Sequence, residues 1–476
     1  MTSTMANTRT LFLSLASSKK QLYLTIHEEC ISIAHSDSKA TSKIPFQNII
    51  SVKLNQDSSR VEFVYILKAK NYSLHRVDGS PVASSLPYAS AWVQEVHAEA
   101  YDGVKQSRKL LVFVNPHSGP GKARTVYDKK IVPVLEAAGC SVEVIHTTHR
   151  NHAFDTVKQS PLDYDAIVVL SGDGLVHEVF NGLARHSEPM RALKIPVAPV
   201  PTGSGNAMCL NLFGVKEGFD VVLAALNIVK GRPMKLDLFS FVQKDRRVFS
   251  FMSQCIGLMA DLDLGTEHLR WMGDTRFAVG FLRGVMGPPA SFELSYKLVE
   301  DDKMKMVEAL KSRPPASVQH SDDSSNPSGE LPPLRHLGAN WTDFNSDSEG
   351  WTKSQTPALF LFAGQGPYVS RDYMPFAVSL PDDGLIDLVL QEMTGTKMLL
   401  NGGMVDGKVF WHPKNRYLKV QAYRVRPRAK QGNLSVDGEG FPLEEFGVEA
   451  HPGLGNLLSL RGQFACDFGA SPQKSN

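Results

Sequence analysis

Residues 171–182 read Ser171-Gly172-Asp173-Gly174-Leu175-Val176-His177-Glu178-Val179-Phe180-Asn181-Gly182. Immediately before them stands Ala166–Leu170, an Ala-Ile-Val-Val-Leu run. A short apolar run bounded by a turn signal reads as a strand buried on both faces. Val176, Val179, Phe180 and Leu183 then recur at helical spacing, so Leu175–Arg185 reads as an amphipathic helix. Between strand and helix two glycines flank an acid, which lets a ligand approach the backbone. Ligands of parallel sheets sit at the carboxyl ends of the strands, so Asp173 is placed to face that crevice. An N-cap or turn acid is the competing reading of Asp173. Glu178 lies early in the helix, where the macrodipole favours a carboxylate, so a purely structural role suits it too.

The surrounding sequence repeats this pattern. Leu110–Val114, Val142–His146 and Pro196–Pro199 are further short strands, separated by helix-length segments Ala123–Ala138 and His152–Gln159. Strand and helix in alternation imply a parallel sheet covered on both faces. Two of these strands also end in glycine-rich turns that open a helix. One is Asn115-Pro116-His117-Ser118-Gly119-Pro120-Gly121-Lys122; the other is Pro201-Thr202-Gly203-Ser204-Gly205-Asn206. Successive backbone N–H groups in such turns converge on anions. Neither matches GxxxxGK[ST] or GxGxxG. Three such loops in one βαβ register point to a phosphate-bearing ligand.

In this order the loops resemble the diacylglycerol kinase-like catalytic domain, and SGDGLxHEVxNG at Ser171–Gly182 resembles its sphingosine kinase branch. Ceramide kinases differ around the Gly-Asp-Gly and Gly-Ser-Gly-Asn segments. The likeness is close over about 110–215 and patchy to about 439. It implies a Rossmann-like, phosphofructokinase-like α/β nucleotide domain followed by an antiparallel β-sandwich that binds lipid. It also implies ATP with Mg²⁺, and a sphingoid base as acceptor. By the resemblance, Asp173 is the general base. Asn115, Pro116, Ser118, Gly119, Gly121, Lys122, Thr147, Arg150, Ser171, Gly172, Gly174, Glu178, Gly203, Ser204, Gly205 and Asn206 line the nucleotide. Arg270 and Arg276 reach its phosphates, and Asp437, Gly438 and Glu439 join from the β domain. Glu178 orients this region or helps to hold Mg²⁺. Ser253 and Asp263 match the sphingoid-head contacts. A single-chain lipid needs an apolar tunnel, for which the stripe of Phe277 and Phe281 on helix Gly273–Val285 is a candidate, and core packing is its competing reading. His117-Ser118 departs from the Arg-Gly often found there. Asp437-Gly438 is equally a hairpin turn signal. Asp261 and Asp263 alternate as on a strand, so one of them can be a solvated face residue.

Outside this core, residues 1–104 form a β-rich extension. Strands at Gln21–Ile26, Cys30–Ala34, Ile49–Leu54 and Val61–Leu67 are followed by a helix with Ala89, Trp92, Val93 and Val96 on one stripe. That element order resembles a pleckstrin-homology-like module. Residues 105–231 are the α/β catalytic domain and 232–469 the β-sandwich domain, with a helix at Gly273–Val285. Ser, Pro, Asp and Asn dominate Ser312–Gly350, so about 307–355 reads as a disordered insertion, and 470–476 is a polar tail.

The chain has 476 residues and a net charge of +2, which offers no global field for nucleic acid. Its 5 cysteines include no CxxC pair, so neither a disulfide framework nor a structural zinc site is expected. The apolar stretch Leu11–Ala16 is far shorter than the ~20 residues of a spanning helix and makes a poor secretory leader. The expectation is a cytoplasmic protein, peripherally bound to intracellular or plasma membranes, with the basic run Arg424, Arg426, Arg428, Lys430 as one candidate contact. A ceramide or diacylglycerol kinase, a soluble NAD-type kinase and a non-enzymatic lipid-binding protein are the competing readings.

Overall fold

The computed structural model describes residues 9–15, 21–38, 40–55, 57, 59–265, 290–313, 329–338, 341–344, 350–354, 358–392, 406–429, 431–466 and 468. Arg270, Arg276, Phe277, Phe281 and the expected helix Gly273–Val285 lie outside the described residues, as do Lys430 and the tail. The chain divides into two compact units.

The first unit comprises Met1–Leu111, Arg124–Glu143 and Asp220–Arg232. Alternating apolar residues build an antiparallel sheet in it. Its strands are β1 (Thr10–Leu15), β2 (Gln21–Ile26), β3 (Cys30–His35), β4 (Thr41–Pro45), β5 (Ile49–Asn55), β6 (Arg60–Lys68) and β7 (Tyr72–Pro81). Their order is β4-β3-β2-β1-β7-β6-β5. Leu11 and Leu13 are fully buried and pair with Leu24 and Leu22, so the apolar run near the N-terminus is a strand. Helix α1 (Ala89–Ala100) buries Trp92, Val93 and Val96, the stripe its spacing predicts. The same unit holds α3 (Val132–Ala137) and α8 (Val221–Lys230). Asp220 caps α8 by accepting from the Val222 and Leu223 N–H groups, and its second oxygen accepts from Tyr72 N–H of β7. Lys230 Nζ donates to Ala100 O at 2.6 Å, and Arg108 donates to the Ile228 and Gly231 carbonyls, so two buried cations hold helix C-termini.

The second unit comprises Val112–Ala123, Val144–Phe219 and Pro233–Asn476. Each strand expected in the βαβ region is present to within two residues: β8 (Lys109–Val114), β9 (Ser141–His146), β10 (Ala166–Ser171) and β11 (Val197–Pro201). β10 and β11 run parallel, from Ile167↔Val197 to Ser171↔Pro201. The linking helices are α2 (Ala123–Val126), α4 (His152–Val157), α5 (Asp173–Ala184), α6 (Pro189–Ala192) and α7 (Ala207–Phe213). α5 begins two residues before the expected Leu175, so Asp173 belongs to the helix.

The remaining strands are β12 (Arg232–Gln243), β13 (Arg246–Ser250), β14 (Ser253–Gly257), β15 (Phe292–Glu300), β16 (Thr352–Ser354), β17 (Ala358–Gly364), β18 (Ile386–Glu392), β19 (Asn415–Pro427), β20 (Leu434–Val436), β21 (Glu439–Phe441) and β22 (Phe446–Ser459). The path runs β21-β20-β14-β17-β18-β19-β22-β11-β10-β8-β9 among the described strands, and joins the antiparallel to the parallel part through β22. Successive residues alternate between two apolar faces. Cys255, Phe360, Phe362, Val389 and Tyr417 line one core, while Ile256, Leu361, Leu388, Leu390 and Leu418 line the other.

Two local expectations change. Gly257 turns the chain at φ +78°, and the Asp261/Asp263 segment continues as helix α9 (Leu258–Gly265), not as a strand. The stretch expected as disorder from about 307 contains ordered parts. Helix α10 (Lys303–Ser312) buries Met306 and Val307, capped by Asp302. The Glu449 carboxylate, itself buried, accepts from the Arg335, His336 and Leu337 N–H groups at 2.6, 2.8 and 3.0 Å. Local composition missed this strap because its partner is more than a hundred residues away.

Candidate functional site

The strand ends of β8, β10 and β11 bring three loops together. Asn115 N–H donates to Leu170 O, and Thr202 N–H to Ser171 O. Ser171 Oγ lies 3.1 Å from Ser118 Oγ and 3.4 Å from Asn115 Nδ2. Asn206 folds its own loop: its Oδ1 accepts from Gly203 N–H and its Nδ2 donates to Gly203 O. Glycine is required where the loops meet. A β-carbon on Gly172 would lie 2.4 Å from Gly205 O, and one on Gly119, at φ +52°, 2.7 Å from Thr202 O. The expected residues Asn115, Ser118, Gly119, Ser171, Gly172, Gly203, Gly205 and Asn206 are therefore one constellation. Ser204, Gly121 and Lys122 are exposed on its rim, and Pro116 is half-buried.

Asp173 is the first residue of α5. Its Oδ2 accepts from Ala207 N–H at 2.7 Å and its Oδ1 from Met208 N–H at 3.0 Å. These N–H groups open α7 and would otherwise be unpaired. The acid is thus both a cap and the carboxylate at the loop junction; the two readings of Asp173 are not exclusive. Gly205 lies beside it, a β-carbon there falling 3.6 Å from Asp173 Oδ2.

The following residues of α5 reach other segments. Glu178 accepts from the Asn151 and Ala153 N–H groups at 3.0 and 3.3 Å, which holds Asn151 in its left-handed conformation at φ 66°. Burial pushes the Glu178 carboxyl above its usual range, against the pull of those N–H groups; Glu439 adds to the rise. Each Glu178 oxygen accepts one N–H group, which ties this acid to the Asn151–Ala153 loop. Among the described residues no group of three His, Cys, Asp or Glu side chains could hold a metal. Arg150, in that loop, pairs with Glu439 of β21. Thr147 is buried, its N–H on Val114 O.

Asp437 and Gly438 form the turn between β20 and β21 with φ 50° and 84°, as a hairpin of that type demands. The Asp437 side chain turns inward. Its oxygens accept from Ser250 Oγ–H and the N–H groups of Phe251, Met252 and Ser253, and His177 Nδ1 lies 2.8 Å from Oδ2. Ser253 is buried in this cage. Asp263 lies in α9, and its side chain is outside the described atoms.

Sequence reasoning missed three residues here: His177, Asn181 and Gly182. Asn181 brackets Phe249, donating to its carbonyl and accepting from its N–H, both at 2.8 Å. Gly182 admits α4, since a β-carbon would lie 2.2 Å from Val157 Cγ2. Spacing on one helix was the available signal, because residues 173, 174, 177, 178 and 181 fall within successive turns.

The described arginines of the basic run are engaged by other segments. Arg424 is buried, donates to Trp341 O and stacks on Phe344 and Trp351. Arg426 pairs with Glu445 and Glu293, and Arg428 with Glu293. No helix among the described residues is long and apolar enough to cross a membrane.

Residues 109–241 match the family described as Diacylglycerol kinase catalytic domain. The chain is 31% identical over 463 residues to Sphingoid long chain base kinase 4 of Schizosaccharomyces pombe, covering 94% of this chain and 96% of that protein. It is 27% identical to Sphingoid long chain base kinase 5 of Saccharomyces cerevisiae, over 90% of this chain and 70% of that one. It is 28% identical to Sphingosine kinase 1 of Arabidopsis thaliana, over 73% and 71%. A crystal structure described as a candidate diacylglycerol kinase from Bacillus anthracis str. Sterne superposes with a TM-score of 0.51 at 17% identity, over 75% of this chain and 97% of that chain; it shares the mixed α/β and antiparallel fold. The likeness to the fission-yeast kinase spans nearly the whole of both chains, and the chain belongs to the sphingoid long-chain base kinase family.

Proposed function

We propose that the protein transfers the γ-phosphoryl group of ATP to the primary hydroxyl of a sphingoid base such as sphingosine, dihydrosphingosine or phytosphingosine. The observation that carries this reading is the Asp173 carboxylate at the junction of three glycine-rich strand-end loops. Phosphoryl transfer asks chiefly for positioning and for stabilisation of spread negative charge. Loops 115–122, 171–174 and 203–206 cradle the phosphates, with Arg270 and Arg276 supplying positive charge. Arg150 and Glu439 close the nucleotide side. ATP carries Mg²⁺ on its phosphates, and the ion's contribution is to neutralise their charge.

Asp173 accepts the hydrogen bond of the attacking hydroxyl and takes its proton. The hydroxyl approaches a carboxylate whose oxygens are held in place by the two α7 N–H groups. A carboxylate is a much weaker base than the alkoxide it would help to form. In a loose transition state the hydroxyl proton leaves late, so a weak base suffices.

The acceptor head sits against Ser253 and Asp263. An ammonium pairs with Asp263 in a charge-assisted bond, which a neutral diacylglycerol or ceramide would leave unmade. The apolar chain follows the apolar side chains that include Cys255, Phe360, Phe362 and Tyr417. Phe277 and Phe281 remain the sequence's candidates for its tunnel. In this arrangement 105–231 is the nucleotide domain, the later strands form the lipid-binding sandwich, and 1–104 is a pleckstrin-homology-like module. The enzyme works peripherally at cytoplasmic membrane surfaces.

The test is transfer of labelled phosphate from ATP to sphingosine in mixed micelles, with ceramide, diacylglycerol and NAD as competing acceptors. Product on sphingosine, and an Asp263→Asn variant whose sphingosine KM rises far more than its ATP KM, would support the reading. Transfer to the neutral lipids alone would replace it.

A further inference from the structure

The first two turns of α5 commit each polar side chain to a different part of the second unit. Asp173 holds the start of α7, and Glu178 holds the Asn151–Ala153 loop. The β20–β21 hairpin, which brings Glu439 to Arg150, is joined to α5 through His177. Asp437 is almost fully buried and saturated with donors: Ser250 Oγ–H, three backbone N–H groups and the imidazole. Four other donors point at these oxygens, so in this contact the imidazole is the donor, through Nδ1–H. His177 stands four residues after Asp173, one turn on along the same side of the helix. Gly174, between them, faces the Glu439 carboxylate: a β-carbon there would meet its Oε1 in ordinary van der Waals contact at 3.6 Å.

We propose that His177 is a positioning residue for phosphoryl transfer, acting through its Nδ1–H bond to Asp437. This bond fixes the separation between the catalytic acid on α5 and the Glu439–Arg150 pair on the hairpin side. Asp437 cannot be the adjustable partner, because its other bonds tie it to residues 250–253, where β13 passes into β14. Loss of the bond loosens the hairpin against α5, which Asn181 still joins to Phe249, without removing any group that touches the nucleotide or the acceptor. Misplacement of about 1 Å at such a distance from the chemistry costs about a hundredfold in rate. The inference rests on the kinase reading above.

Two amide substitutions separate the role of Nδ1 from that of bulk. In His177→Asn the side-chain Nδ2 stands where Nδ1 stood and can donate to Asp437. In His177→Gln the amide nitrogen falls nearer the position of Nε2 and misses it. Steady-state kinetics on sphingosine and ATP, with thermal unfolding as a check on folded protein, should give His177→Asn a kcat within about fivefold of wild type. His177→Gln should lose about a hundredfold in kcat with both KM values within about threefold, the pattern of an interaction needed only at the transition state. Equal kcat in the two variants would overturn the proposal, as would a more active Gln variant, which would make Nε2 the working nitrogen. A wild-type protein without activity on sphingoid bases would overturn the kinase reading itself, and this inference with it.

Discussion

A β-carbon built on Gly203 would lie 2.3 Å from both the Cα and the N of Gly172. The two glycine-rich loops are thus in backbone contact, and no side chain stands between them to yield. Gly203→Ala should destabilise the protein by about 2 kcal/mol, as overpacking against unyielding backbone does, and raise the ATP KM at least about tenfold. Gly438→Ala is the control. Its φ of 84° makes an alanine strained, but a β-carbon there meets nothing within 4 Å, so about 1 kcal/mol of destabilisation is expected with smaller kinetic change. Chemical denaturation and ATP titration measure both.

Asp173→Asn should damage two things at once. Turnover on sphingosine should fall at least about a hundredfold. Stability should fall by about 1 kcal/mol, because the amide leaves one α7 N–H without its acceptor. An inactive variant with an unchanged melting curve would contradict the capping role; a destabilised but active one would take the base role from Asp173.

Glu178 titrates in the direction that opposes folding. Burial raises its folded pKa above the ordinary 4.5, so the folded state holds the proton more tightly than the unfolded chain. Stability therefore falls as pH rises from about 4.5 through the raised folded value. Glu178→Gln should lack that fall. It should also raise the ATP KM, since one of the Asn151 and Ala153 N–H groups loses its acceptor. Unfolding curves across the acid range, with ATP titrations at neutral pH, would check both.

Lys230 gives the opposite slope in the first unit. Burial, with Arg108 nearby, lowers its pKa from 10.5 to about 7. Between those values the unfolded chain binds more protons, so stability should rise with pH across that window and level off at its lower value below about 7. Lys230→Met should flatten this part of the stability–pH curve; an unchanged slope would show that the folded lysine stays charged.

The strap at residues 335–337 hangs on one carboxylate. Glu449→Gln places an amide donor against backbone donors and should cost about 2 kcal/mol. Limited proteolysis should then cut within 329–344 faster than in wild type. Equal cleavage rates would mean that Leu337 and Phe344, both buried, hold the strap without Glu449.

How much of this was legible follows from where each partner lies. The Ala166–Leu170 strand and the α5 stripe were readable because their period is local, and the three glycine loops because each stands at a strand end. The start of α5 at Asp173 was misplaced by two residues. What draws Asp173 into the helix is not its neighbours but Gly205 O, which accepts its N–H, and α7, which takes its carboxylate. Asp261 and Asp263 looked like alternating strand positions; a left-handed Gly257 and packing on β14 and β17 make the segment a helix. The basic run at 424–428 looked like surface because its partners, Glu293, Trp341, Phe344 and Glu445, come from elsewhere in the chain.

Sequence alone determined the βαβ rhythm, the glycine loops, the acids that accompany them and thereby the family of chemistry. Those features depend on residues near one another in the chain, where strand and helix periods and the conformational freedom of glycine act. Only the tertiary structure decided what each acid is bonded to. Asp173 caps a helix 34 residues later, Glu178 clamps a loop 25 residues earlier, and Asp437 receives His177 from 260 residues away. A buried carboxylate must find donors wherever the fold supplies them, and no local pattern encodes which segment that will be.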